Sequence, residues 1–71
     1  MMGNINRTHY LELNHILWDT RQKYISPKLA LEMYERRWAY VEQSKLIPKE
    51  KQLIEKLTKV IGQGVFMPAV Y

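Results

Sequence analysis

The stretch Ser26-Pro27-Lys28-Leu29-Ala30-Leu31-Glu32-Met33-Tyr34-Glu35-Arg36-Arg37-Trp38-Ala39-Tyr40-Val41 decides how this chain is read. Serine is a good helix N-cap, and a proline directly after it suits the first helical position, where the missing N–H costs nothing. At 100° per residue, Leu29, Ala30, Leu31, Met33, Tyr34, Trp38, Tyr40 and Val41 cover an arc of roughly 200°, whereas a surface helix hides a stripe closer to half that width. This helix is therefore expected over residues 27–44, with one apolar face for its own core and another for a second copy or a different protein.

Working outward, Thr8 is a candidate N-cap for a first helix over residues 9–24, ended by Ser26-Pro27. Its apolar residues form two stripes. Leu13, Leu17 and Tyr24 make one, with Tyr10 beside it, and Leu11, Trp18 and Ile25 at seven-residue intervals make the other. A third helix is expected over residues 48–62. Pro48 sits at its first position, Glu50 in its first turn favours the positive helix end, and Gly62 and Gly64 stop it. Leu53, Ile54, Leu57, Val60 and Ile61 give that helix an ordinary apolar arc of roughly 120°. The expected fold is an all-α, three-helix single domain spanning residues 1–71. In it, helices one and two form an antiparallel hairpin, helix three packs across them, and an apolar tail covers residues 63–71.

At 71 residues the chain is small enough to need a stabilising staple, and with no cysteine that staple is not a disulfide. The lack of thiols also removes zinc-thiolate sites and cysteine catalysis. No apolar run is long enough to span a membrane, and the amino end lacks the apolar core of a secretory signal, so a cytoplasmic protein is expected. Self-association as a homodimer, or binding to another protein, is the expected source of added stability. The tail, with Phe66 and Met67, either folds back over its own helices or crosses to a second chain.

Arg37 projects near the middle of the wide apolar arc, where a guanidinium must be paired or reach water along its stem. One reading pairs it with an acidic side chain across the bundle. The other joins it with Trp18, Arg21, Met33, Tyr40, Phe66 and Met67 in a protein interface, since Trp, Tyr and Arg are enriched at binding hot spots.

The net charge of +4 is uneven. Residues 45–71 hold five lysines against Glu50 and Glu55. Nucleic-acid binding through Lys45, Lys49, Lys56 and Lys59 is accordingly the rival expectation, as in a small nucleoid-associated transcription modulator. Catalysis is not expected. Glu12 and His15 have a Glu-x-x-His spacing, but a di-iron site needs a second such pair and further carboxylates. Glu12, His15 and Asp19 are read as one solvated face, as are Glu32, Glu35 and Arg36. There is no phosphate-binding glycine loop or nucleophile elbow, and neither metal nor cofactor is implied.

Overall fold

The computed structural model describes residues 3–68, and Ala69, Val70 and Tyr71 of the expected tail lie outside them. The chain is mostly helical but not all-α. A two-stranded antiparallel ribbon joins β1 (Ile5–Asn6) to β2 (Tyr24–Ile25), pairing Ile5 with Ile25 and Asn6 with Tyr24. Three α-helices follow the order α1 (Leu11–Ile16), α2 (Pro27–Arg36) and α3 (Pro48–Val60). Short 3₁₀ turns lie at Arg7–His9, Trp38–Tyr40 and Gln43–Lys45.

The second and third helices begin where their sequence signals place them. Ser26 Oγ accepts the Leu29 N–H at 3.2 Å, and Pro27 and Pro48 open α2 and α3. The α3 helix ends at Val60, close to the expected stop. Gly62 donates to the Leu57 carbonyl and Gly64, at φ 85°, to that of Thr58.

The first helix is far shorter than expected, with six residues in place of a run from 9 to 24. Beyond Ile16 the carbonyls at its end are taken up by two arginines. A longer helix would use the carbonyls of Asn14, Ile16 and Leu17 for N–H groups four residues on. Instead, the Arg7 guanidinium donates to the carbonyls of Asn14 (3.2 Å), Leu17 (2.6 Å) and Thr20, while Arg37 donates to that of Ile16 at 2.7 Å. The chain turns away after Leu17, and residues 24–25 become a strand. Thr8 is likewise not a helix cap; it lies in a 3₁₀ turn whose cap is Asn6.

The second helix also stops early, at Arg36, and residues 37–44 are carried by the two 3₁₀ turns. The wide arc read for a helix over 27–44 therefore overstates the apolar face of α2. Trp38, Tyr40 and Val41 leave the helix axis and face different surroundings.

The core is built from Leu13, Ile16 and Leu17 near α1, Ile5 and Ile25 of the ribbon, Ala30, Leu31, Met33 and Tyr34 of α2, Val41, and Leu53 and Leu57 of α3. Trp38, Ile54, Ile61 and Phe66 pack at its edge. The described part of the tail folds back within the chain: the Phe66 ring meets Trp38 edge to face at 5.0 Å, and the Met67 N–H donates to Glu35 at 2.8 Å.

Candidate functional site

Two assemblies of polar and aromatic side chains stand out, one inside and one at the surface. The interior assembly centres on Glu50, in the first turn of α3 and fully buried. Its Oε1 accepts the Glu12 N–H at 3.2 Å and its Oε2 the Leu13 N–H at 2.9 Å. These are the second and third residues of α1, the two positions an N-cap side chain normally serves, and Tyr10 at the cap supplies no such group. Tyr34 completes the set by donating its hydroxyl to Oε2 at 2.6 Å. Burial, and then the neighbouring carboxylate, push the Tyr34 hydroxyl pKa far above its ordinary value.

Glu12 is 2% exposed, not part of a solvated face, because its Oε1 accepts the Glu42 N–H at 2.8 Å and fastens the loop after α2 onto α1. His15 lies 3.7 Å from the same oxygen and remains exposed. Arg7 closes the opposite end of α1, with Asn14 Oδ1 as a further acceptor at 2.9 Å. A carboxylate thus sits at the amino end of a short helix and a guanidinium at its carboxyl end, the arrangement its dipole favours. Sequence reading assigns Glu50 only a dipole role within its own helix, and Arg7 no role at all.

The surface assembly begins at Arg37, which follows the last residue of α2 and donates its own N–H to the Met33 carbonyl. Its side chain is 15% exposed and grips Asp19 through two contacts, at 3.0 and 2.8 Å, besides holding the Ile16 carbonyl. The guanidinium lies over the Trp18 ring, 4.2 Å from its centroid, and Trp18 meets Tyr40 edge to face at 5.4 Å. Hydrogen bonding to Arg37 holds the Asp19 carboxyl down at about 2, and the same bond raises the arginine. Despite these contacts Trp18 and Tyr40 are 57% and 59% exposed.

Of the residues expected at an interface, Trp18, Arg37 and Tyr40 come together. Arg21 is exposed, two residues beyond Asp19 in the chain. Met33 is a core residue: α2 turns it inward, so it is not available to a partner. Phe66 is half-buried against Trp38, and Met67 is exposed along a groove with Leu31, Glu35 and Ile61. Arg37 satisfies the paired reading, since Asp19 is its acidic partner, and Arg36 and Glu32 form a half-exposed pair at 2.7 Å.

The four lysines do not share one surface. Lys49 and Lys56 line a cleft against the ribbon, Lys56 and Lys59 line a separate groove with Phe66, and Lys45 lies in the turn before α3. Among the described residues no group of three or more acidic or histidine side chains could hold a metal, and no helix is long and apolar enough to cross a membrane. No family model matches the chain, and comparison with curated proteins and with solved structures returns no significant similarity.

Proposed function

We propose that this chain is a non-enzymatic, cytoplasmic protein-interaction module that forms a homodimer through the surface bearing Trp18, Arg37 and Tyr40. The observation that carries the reading is the fixed posture of two aromatic rings that remain more than half exposed. Free surface side chains lose rotamer entropy on binding, at a cost of about 0.5–1.5 kcal/mol each. Here the Arg37 guanidinium over Trp18, and Trp18 against Tyr40, restrict both rings before any partner arrives. Trp, Tyr and Arg are also the residue types that dominate binding energy when they cluster.

A second copy is the favoured partner because a domain of this size has little core to spare and no cysteine with which to reinforce it. The non-enzymatic reading draws support from the buried ionisable groups. Glu12, Glu50 and Tyr34 each spend their hydrogen bonds on the protein's own backbone or on each other.

The two indole N–H resonances test the proposal. On dilution from millimolar to low micromolar protein, the Trp18 signal is expected to shift while that of Trp38, covered by Phe66, stays in place. Identical spectra across that range would refute self-association through this surface.

A further inference from the structure

We propose that the cleft between β1 and α3 binds single-stranded nucleic acid, with the exposed Tyr24 as the stacking platform, the half-buried Tyr10 as part of the wall, and Lys49 and Lys56 as phosphate contacts. This open cleft of about 570 Å³ is lined by Asn6, His9 and these four residues among others, and no carboxylate is present among its described lining residues. That lack of acid has a structural origin. Glu50 lies one residue from Lys49 but is drawn wholly into the interior to cap α1, and Glu12 is buried with it. The surface left behind is more positive than the sequence of α3 suggests, because the neutralising side chain points inward.

The aromatic rings are paired with cations in a way that suits an anionic, stacked ligand. Lys49 Nζ stands 5.1 Å from the ring centroid of Tyr10, which packs half-buried against the core, and Lys23 Nζ 5.7 Å from that of Tyr24, which is 56% exposed. Lys49 and Lys56 are seven residues apart on one helix, about 10 Å of rise, so an extended strand reaches both. Base faces stack on exposed aromatic rings and phosphates follow basic grooves, the combination by which single strands are held without sequence readout. A duplex hides its base faces and offers Tyr24 nothing to stack on.

The test is fluorescence anisotropy of a labelled oligothymidylate of about 15 nucleotides, titrated with the full chain, beside its duplex with oligoadenylate. Saturable binding of the single strand is expected at about 50 mM salt, weakening about tenfold at 200 mM because few phosphates are engaged. Replacing Lys49 and Lys56 together by Gln should weaken it about tenfold or more. Tyr24→Ala should cost about fivefold or more, with Tyr24→Phe restoring affinity because the ring is kept. If Tyr24→Ala unfolds by circular dichroism, the lysine pair decides the matter alone. Absence of binding, equal binding of the duplex, or affinity indifferent to a folded Tyr24→Ala variant or to the lysine replacements would overturn the proposal.

Discussion

Glu50 and Tyr34 meet in the interior through a 2.6 Å hydrogen bond, and the same carboxylate closes the amino end of a helix that lies more than thirty residues earlier in the chain. One buried side chain thereby ties α1, α2 and α3 together. A lone buried carboxylate is costly unless hydrogen-bonded, and three donors converge on this one.

Removing that carboxylate should be severe. Glu50→Ala strands the Glu12 and Leu13 N–H groups and the Tyr34 hydroxyl, at about 1–3 kcal/mol per buried donor left unmatched. A total loss of about 3 kcal/mol or more is expected, a large share of the 5–15 kcal/mol that holds an ordinary domain. Tyr34→Phe should cost about 1.5–3 kcal/mol, the worth of one hydrogen bond to a charged group. Urea unfolding followed by circular dichroism measures both.

Alkaline pH should act through Tyr34. Its hydroxyl stays protonated in the folded protein well above the value of about 10 it has when unfolded, so its contribution is complete below pH 10 and declines above it. Stability is expected to fall by about 1.4 kcal/mol per pH unit beyond that point from this group alone. Urea midpoints at pH 9, 10 and 11 should show the decline in the native chain, and a shallower one in Tyr34→Phe.

At acid pH the sensitive contact is Asp19 with Arg37. A carboxyl held at about 2 contributes stability above about pH 4, its unfolded value, and loses that contribution as the pH falls towards 2. In Arg37→Met the Asp19 carboxyl should return to about 3.9, as followed by carbon-detected NMR titration. The same variant should lose about 1 kcal/mol through the unmatched Ile16 carbonyl, since the half-exposed pair itself adds little.

Gly62 marks where the chain doubles back after α3. A Cβ there would stand 2.5 Å from the Val65 carbonyl oxygen and 3.0 Å from that of Thr58. Both obstacles are backbone, so Gly62→Ala should destabilise by about 1–3 kcal/mol as the turn is forced open. Loss of the Phe66 contact should accompany it, read as a red shift of Trp38 emission in a Trp18→Phe background.

The helices whose signals are local were legible in the sequence. Ser26, Pro27 and Pro48 act on their immediate neighbours, and α3 begins and ends close to where its proline and glycines place it. The early end of the first helix is not legible because the groups that satisfy its last carbonyls are not local: Arg7 and Arg37 arrive from outside residues 11–16 and donate to the carbonyls of Leu17 and Ile16. The ribbon was invisible because two-residue strands are too short to show alternation. For the surface site, residue type groups Trp18, Arg37 and Tyr40 together with Arg21, Met33, Phe66 and Met67, and only the early end of α2 and the fold-back of the tail separate the first three from Met33 in the core and from Phe66 against Trp38. Glu50 looked like an ordinary first-turn acid, and only the packing of α3 against α1 reveals what it holds.

The decisive measurement is molar mass by light scattering on a size-exclusion column, for the native chain and for a variant carrying both Trp18→Ser and Tyr40→Ser. With a chain mass of 8.6 kDa, the native protein should elute at twice that mass and the variant, folded by circular dichroism, at the mass of one chain. A native protein that runs as a single chain at high concentration, or a variant that stays dimeric, would contradict the assignment of this surface to self-association.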